Sequence, residues 1–237
     1  MKKYIGTKQI EAEPMTMGEA YERGLLQVGR VPDAEYAKRM GYHVKYADGY
    51  ESWSPAEPFE EAYKLADTSL DRMQIEAEEV NGRYVKLAAF IDSGKMDEVV
   101  NDMYNKCLLE MQCCTMFDYI RLLDPRIQRM QGSDGAKVIK MNFGMAIMAL
   151  KAGFPIRRSG WNGKGLMVFK QVPAHIDSDI IPKMQSIPQS AKDLILKGKG
   201  FIDYTSQCLI YNENTGRADS WVPSISDVFA EDWEIVE

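Results

Sequence analysis

Residues 157–165 bring together functional groups that can bind an anionic, base-bearing small molecule. Two arginines and a lysine supply cationic groups, a tryptophan an aromatic face, an asparagine an amide, and three glycines leave the backbone accessible. Cationic side chains suit phosphate oxygens, a tryptophan face stacks on a nucleobase for about 1–3 kcal/mol, and glycine permits close approach. We therefore predict contacts to a phosphate-bearing ligand from Arg158, Trp161, Asn162, Gly163 and Lys164.

The same segment also has a purely structural interpretation. Asn162 and Gly163 form a typical type I′ hairpin dipeptide, and Trp161 can be an ordinary core residue. The segment is not a P-loop, because Gly160 and Lys164 lack the four-residue spacing and the following Ser/Thr of that motif. Spacing alone leaves the turn and the ligand loop both open.

A second polar set lies near the end of the chain. Ser224 and Asp227 follow Pro223, and this order predicts the start of a short helix. Backbone N–H groups at a helix start attract anions, and the carboxylate could accept from ribose hydroxyls or an adenine amine. The same two residues have the spacing of a variant capping box, which needs no ligand. The predicted ligand contacts from this set are Trp221, Pro223, Ser224 and Asp227.

Groups that could cleave a ligand are sparse. A phosphodiesterase needs a general base or metal-binding carboxylates, and His175 with Asp177 is the one His-x-Asp pair after residue 139. A lone surface histidine is the commoner interpretation. The four cysteines form no CxxC pair and the chain has only two histidines, so no zinc site is expected. We expect no catalytic residue, metal or cofactor, with cleavage through His175 as the enzymatic alternative.

The helices and strands predicted around both polar sets indicate a small α+β domain. Asn142 is a good N-cap for a helix over 143–151, which Gly153 and Pro155 end. The expected later elements are strands over 155–158, 166–169, 201–204 and 208–211 and a helix over 191–196. Trp233 is expected in the core.

Residues 1–66 predict a small α+β module in front. Alternating residues flank Asp48-Gly49, which is a strong hairpin signal, and Ser54-Pro55 begins a predicted helix over 56–64. This stretch resembles a short module common at the start of small phage proteins.

Residues 67–131 predict an antiparallel helical hairpin, followed by a linker at 131–135. The first seam of alternating four- and three-residue steps comprises Met73, Ala77, Val80, Tyr84, Leu87 and Ile91. The second comprises Val100, Tyr104, Cys107, Met111 and Cys114. A single helix would leave its apolar stripe in water, so the two helices must pack together or against a partner chain. The segment resembles a helical-hairpin family of crAss-like and other phages.

Charge and hydropathy exclude two classes of partner. The net charge of −6 lies entirely in residues 1–139, whereas residues 140–237 are neutral, so binding along a DNA or RNA duplex is not expected. No apolar run approaches the roughly 18 residues of a membrane span, and the chain begins without a signal-peptide pattern. We expect no membrane contact and a cytosolic protein.

Three ordered motifs within residues 140–237 carry a more specific resemblance. These are residues 141–146, residues 160–165, and residues 221–236 with Ser224, Asp227 and Trp233. Together they resemble the Thoeris anti-defence family of the second type. The resemblance implies a phage-encoded protein that binds glycocyclic ADP-ribose without chemically changing this ligand. Some members of the family also bind cyclic di- or trinucleotides. It also implies a homotetramer with ligands at subunit boundaries.

The function expected from this resemblance is sequestration of a cyclic nucleotide immune signal in the cytoplasm of the infected bacterium. Trp161 or Trp221 would stack a base, Lys164 and Arg158 would meet phosphates, and Ser224 with Asp227 would bind sugar or base edges. The alternatives are a phosphodiesterase and a phage protein–protein adaptor or toxin built on the hairpin. We expect a homo-oligomer, and a last domain that binds without the first 139 residues.

Overall fold

The computed structural model describes residues 9–236 and has the predicted α+β composition. The chain divides into two units, Met1–Glu76 and Ala77–Glu237. The division of the chain into three modules stays a prediction. None of the helices within residues 9–236 is both long enough and apolar enough to cross a bilayer.

The first unit contains a three-stranded antiparallel sheet in the order β1-β2-β3. Its elements are β1 (Ile10–Thr16), α1 (Met17–Glu22), β2 (Met40–Tyr46), β3 (Glu51–Pro55) and α2 (Ala56–Ala62). The predicted hairpin is confirmed, with Gly49 at φ +83 in its turn. The helix after it is confirmed but ends at Ala62, two residues earlier than predicted.

Two long helices and a short one come next. They are α3 (Ser69–Asp92), which begins in the first unit, α4 (Lys95–Val99) and α5 (Met103–Met130). Tyr84 of α3 stacks on Phe117 of α5 with ring centroids 5.4 Å apart. Further along α3, Asp92 lies close enough to Cys113, earlier in α5, to add to the effects of burial and of Cys114 that raise the pKa of the Cys113 thiol. Later residues of α3 therefore meet earlier residues of α5, which is the predicted antiparallel arrangement. Lys106 of α5 pairs with Asp97 of α4 at 2.7 Å.

The apolar series predicted on α5 does not pack on α3, so within residues 9–236 it is left for the predicted alternative, a partner chain. Tyr104, Cys107, Met111 and Cys114 are exposed. The less exposed positions instead follow another three–four series, namely Lys106, Leu109, Cys113, Met116, Ile120, Leu123 and Ile127. The helix is apolar on two faces, so periodicity alone could not say which face turns inward.

The C-terminal part of the second unit begins with a helix and ends with an edge strand. Its elements are α6 (Phe143–Lys151), β4 (Ile156–Arg158), β5 (Leu166–Lys170), β6 (Ala174–Ile176), α7 (Gln189–Lys197), β7 (Ile202–Tyr204), β8 (Cys208–Asn212), β9 (Arg217–Ser220), α8 (Ile225–Val228) and β10 (Trp233–Ile235). Five strands form an antiparallel sheet in the order β10-β4-β5-β8-β9, and β6 pairs with β7. The four predicted strands and the predicted helices over 143–151 and 191–196 are present within one or two residues of their expected ends, and the predicted short helix after Pro223 is present as α8.

The core of this part lies between α6 and the sheet. Its most buried members are Met141, Ala146, Ile156, Val168 and Trp233. Asn142 caps α6 as predicted, because its side chain accepts a hydrogen bond from the Met145 backbone N–H at 2.9 Å. The predicted core position of Trp233 is confirmed, since the residue is fully buried.

The end of α5 packs directly against this core. Leu122 contacts the core cluster, and the Arg121 guanidinium donates to the backbone carbonyls of Ile139 and Lys140. Asp118 accepts a hydrogen bond of 2.6 Å from the side-chain amide of Asn142. Residues before the predicted domain boundary therefore stabilise the start of α6.

Candidate ligand-binding site

The loop between β4 and β5 is open rather than a two-residue turn. Type I′ geometry needs positive φ at both central residues, and among the described residues neither Asn162 nor Gly163 has it. The type I′ interpretation is therefore wrong. The positive φ of +75 falls on Gly165, where a Cβ would collide with Glu213.

The tip of the loop is exposed, and its anchor is a backbone contact. Asn162, Gly163 and Lys164 are all exposed. The carbonyl of Lys164 accepts a hydrogen bond of 2.6 Å from the Asn214 side-chain amide. Within residues 9–236 the Lys164 ammonium has no hydrogen-bond or ion-pair partner, so it is available to an anion.

The capping interpretation of Ser224 and Asp227 is confirmed. The Ser224 hydroxyl accepts from the Asp227 backbone N–H at 3.2 Å, and the Asp227 carboxylate accepts from the Ser224 N–H at 2.9 Å. This reciprocal pair begins α8 and satisfies N–H groups that a helix start otherwise leaves open.

Asp227 also receives two bonds from the loop side of the site. Its Oδ1 accepts from Arg158 Nη1 at 3.0 Å and from the indole N–H of Trp161 at 3.1 Å. Its Oδ2 is held by the N–H and the hydroxyl of Ser224. Both carboxylate oxygens of this buried residue are thus occupied by protein donors.

These hydrogen-bond donors lower the pKa of the Asp227 carboxyl group. Burial raises the pKa of Asp227, but the hydrogen bonds from Ser224, Arg158 and Trp161 outweigh burial and lower the pKa to about 2. The carboxylate is therefore ionised across the physiological pH range.

Arg158 connects two carboxylates. Its Nε donates to Asp232 at 2.7 Å, and its Nη1 donates to Asp227 and to the carbonyl of Ser226. The hydrogen bond to Asp232 is the main reason why the pKa of Arg158 is raised. Within residues 9–236 its Nη2 has no hydrogen-bond partner, so only this end of the guanidinium is left for a ligand.

Three indoles surround the capping box. Trp233 donates its indole N–H to the backbone carbonyl of Asp227 at 3.1 Å. Trp161 and Trp221 both approach Trp233 edge-on, with ring centroids 5.4 Å and 6.1 Å apart. Trp161 and Trp221 are half-buried, so each ring combines a core contact with an exposed part.

The structure brings only part of the predicted set into contact. Arg158, Trp161, Ser224 and Asp227 form one hydrogen-bonded cluster, and Trp221 joins it through Trp233. Among the described residues, the members with neither a side-chain hydrogen bond nor a ring contact to this cluster are Asn162, Gly163, Lys164 and Pro223.

Sequence reasoning about the site missed Asp232. Its carboxylate accepts from Arg158 and from the Gly160 backbone N–H at 2.8 Å, so it holds the first residues of the loop. Its burial raises its pKa, while Arg158 and Gly160 lower it further than burial raises it. The sequence signal that could have identified Asp232 is its position next to Trp233, which was expected in the core.

His175 lies on the separate β6–β7 sheet. Its Nδ1 is 2.5 Å from Asp203 and its Nε2 is 3.2 Å from Asp177. The hydrogen bond with Asp203 is the main reason why the pKa of His175 is raised. Within residues 9–236, no group of three or more His, Cys, Asp or Glu side chains is arranged to hold a metal ion.

Comparison with known proteins matches two separate parts of the chain. A family model described as Thoeris anti-defense 2-like domain matches residues 141–236, and one named Sequestin matches residues 67–129. The chain is 34% identical over 102 residues to "Thoeris anti-defense 2" of Bacillus phage SP01, covering 41% of this chain and 96% of that protein.

The matched region contains both polar sets, the three indoles and Asp232. It begins at Met141, beside the helix cap, and ends after β10. The chain belongs to the Thoeris anti-defense 2 family.

Proposed function

We propose that this protein is a phage anti-defence protein that binds a cyclic nucleotide immune signal and sequesters it without cleavage. The observation that carries the proposal is the hydrogen-bonded cluster of Arg158, Asp227 and Trp161, which holds an exposed cationic loop beside two half-buried indoles. The cluster lies in the region that is similar to a phage protein named for anti-defence. By holding a signal such as glycocyclic ADP-ribose, or a cyclic oligonucleotide, the protein would block Thoeris-type immunity in the cytoplasm of the infected bacterium.

The cluster and the exposed loop beside it have different roles in this proposal. Lys164 and the free Nη2 of Arg158 meet phosphate oxygens, while Asn162 and the backbone of Gly163 lie close to the ligand. Trp161 or Trp221 stacks a base. Ser224 contributes its hydroxyl at the helix start, next to Pro223.

Asp227 acts mainly as a positioning residue. Both of its oxygens already accept protein hydrogen bonds, so a direct bond to a sugar or base would have to share one of them. Its position between the loop and α8 supports a role in keeping Trp161 and Arg158 in place for the ligand.

The charge of one copy argues for a shared site. Arg158 is offset by Asp227 and Asp232, and Arg157 pairs with Glu234 at 2.5 Å. Lys164 alone cannot balance a ligand with two phosphates, so the additional cationic groups would come from a second copy of the chain.

Exposed apolar residues beside the site support this homo-oligomer. Val222, Ile225 and Phe229 flank the capping box and are 79–82% exposed. Exposed apolar clusters of this kind mark interaction surfaces. We propose that this surface joins copies of the chain, with a tetramer as the expected assembly and ligands at the boundaries.

A heat-release experiment tests sequestration. The protein is incubated with a limiting amount of glycocyclic ADP-ribose, and the ligand is measured by mass spectrometry in the filtrate before and after heating. We expect little free ligand before heating and intact ligand afterwards. A changed ligand mass would instead support a phosphodiesterase, for which His175 is the residue to substitute first.

The similarity of residues 67–129 to Sequestin favours a second candidate activity. We propose that the helical hairpin is a further small-molecule-binding module. Native mass spectrometry of the full chain at saturating ligand tests it, because a separate site would bind ligand in addition to that held by the C-terminal domain. The protein truncated to begin at Met141 is the control and should lack the additional ligand. An equal number of ligands per chain in the two proteins would contradict a hairpin site and would favour an adaptor role.

A further inference from the structure

Helix α5 has an apolar face that its partner helix does not cover. Tyr104, Cys107, Leu108 and Met111 recur at steps of three, one and three residues, and the exposed fractions of Tyr104, Leu108 and Met111 are 70%, 43% and 60%. Cys107 Sγ lies 3.9 Å from Met111 Sδ, so these side chains adjoin on one surface. We call these four residues the outer face of α5.

The inward side of the helix is a different surface. Leu109, Cys113 and Met116 lie on it, and it faces the side on which Phe117 stacks on Tyr84 of α3. At 100° of rotation per residue, these positions lie roughly opposite the outer face. The exposed outer face is therefore a separate surface and not the solvent-exposed rim of the contact between α3 and α5.

The outer face continues into an interface within the chain. Steps of four, three and four residues lead from Met111 through Thr115 to Asp118 and Leu122. Asp118 bonds to Asn142, and Leu122 packs on the C-terminal core. One half of this helix surface is thus already a protein contact, whereas the half containing the outer face is exposed within residues 9–236.

We propose that a second copy of this chain covers the outer face through an antiparallel, two-fold α5–α5 contact. The residue pattern is self-complementary about a point between Cys107 and Leu108. Tyr104 then lies opposite Met111 of the second copy, a favourable sulfur–aromatic pairing, while Cys107 meets Cys107 and Leu108 meets Leu108. A two-fold axis requires this reciprocity.

Charge is compatible with self-association at this surface. The outer face and Thr115 contain no ionisable carboxylate, ammonium or guanidinium group, so the pairing places no like charges against one another. Lys106, on the inward side, is already paired with Asp97. A strongly charged partner is disfavoured, because the outer face has no group of opposite charge to pair with it.

The contact is small. A stable interface buries about 800 Å² per partner, and four side chains on one helix supply roughly half of that. The α5–α5 contact therefore acts together with another interface or remains weak alone. It uses a surface remote in sequence from the ligand loop and does not depend on the proposed function.

Cysteine cross-linking of the full chain tests the geometry. With 1.5 Å rise per residue, the two Cys107 residues lie almost level across the axis, whereas the two Cys114 residues are about 20 Å apart along it. Mild copper–phenanthroline oxidation at micromolar concentration should give a covalent dimer. Cys107→Ser should abolish the dimer and Cys114→Ser should retain it. A dimer that persists in Cys107→Ser and disappears in Cys114→Ser, or no dimer in the parent, would overturn the proposal.

A second variant separates this contact from assembly elsewhere. Leu108→Asp should lower the Cys107 cross-linked fraction at least tenfold, with an unchanged helical circular dichroism signal. The matched control is Val85→Asp, at an exposed position of α3, which should cross-link as the parent does. Equal cross-linking by Leu108→Asp and the parent would overturn the proposal, whatever the ligand experiments show.

Discussion

Trp161 and Asp227 are joined by a hydrogen bond of 3.1 Å from the indole N–H to carboxylate Oδ1. The two residues lie on different polar segments of the sequence, and this bond, with that from Arg158, ties the exposed loop to the start of α8. A rigid connection of this kind reduces the conformational entropy that a ligand must remove on binding.

Replacing Asp227 tests this connection. Asp227→Ala leaves the Arg158 guanidinium and the Trp161 indole without their acceptor, and loss of one partner of a buried ion pair costs about 3–5 kcal/mol. We expect a clearly lower melting temperature and weaker ligand binding. Because Asp227 is buried and bonded to two other segments, the change affects stability as well as ligand binding.

A control for that variant is available on strand β9 of the five-stranded sheet. Asp219 pairs with Arg217 on the exposed strand β9, and Asp219→Ala should change the melting temperature little, because exposed ion pairs contribute about 0–1 kcal/mol. Equal melting of the two variants in differential scanning calorimetry would show that Asp227 does not stabilise the domain.

The acid stability of the protein should depend on Asp227. Its pKa falls from an ordinary 3.8 to about 2, so its stabilising contribution is complete above about pH 4 and is lost as the pH falls towards 2. A fall of this size corresponds to about 2 kcal/mol. The difference in unfolding free energy between the parent and Asp227→Asn should therefore shrink over this range in urea titrations. A difference independent of pH would contradict the assignment.

Lys164 should affect binding without affecting folding. Its ammonium is exposed, and a charge-assisted bond to phosphate contributes about 1.5–3 kcal/mol. We expect Lys164→Ala to weaken ligand binding roughly tenfold to a hundredfold in titration calorimetry, with an unchanged melting temperature. Lys170→Ala, at the far end of β5, is the matched control. Comparable losses in both variants would point to a general charge effect.

The end of α5 should stabilise the C-terminal domain. Arg121 donates to the carbonyls of Ile139 and Lys140, and hydrogen bonds from a charged group contribute about 1.5–3 kcal/mol. We expect Arg121→Ala to lower the melting temperature, whereas Arg126→Ala, at an exposed position of the same helix, should not. Equal melting of the two variants would exclude this role.

A protein truncated to begin at Met141 extends this test. The relative from Bacillus phage SP01 aligns over 96% of its length, which supports folding of this region alone. We expect the truncated protein to bind ligand within about tenfold of the full chain but to melt at a lower temperature, because it lacks Arg121 and Leu122. Complete loss of binding with the fold intact would place part of the site before Met141.

Local signals predicted the C-terminal elements well. The Asn142 cap, the Gly153-Pro155 stop and the Ser224–Asp227 spacing act over a few residues, and each is present. The partners of Arg158 could not be predicted in this way. Asp227 and Asp232 are distant in sequence and reach Arg158 only through the pairing of β10 with β4.

The inward face of α5 shows a second limit of prediction from sequence. Tyr104 and Cys107 belong to one three–four series and Leu109 and Cys113 to another, so the sequence offers two seams with the same period. Packing on α3 selects the latter series. Burial in tertiary structure, rather than local periodicity, decides between two such faces.

Native mass spectrometry of the full chain with glycocyclic ADP-ribose tests sequestration most directly, because it reports oligomer and ligand together. The account predicts a complex of more than one chain whose added mass equals whole, intact ligand molecules and stays constant on prolonged incubation. A protein that binds no ligand, or that carries or releases a ligand fragment, would contradict it.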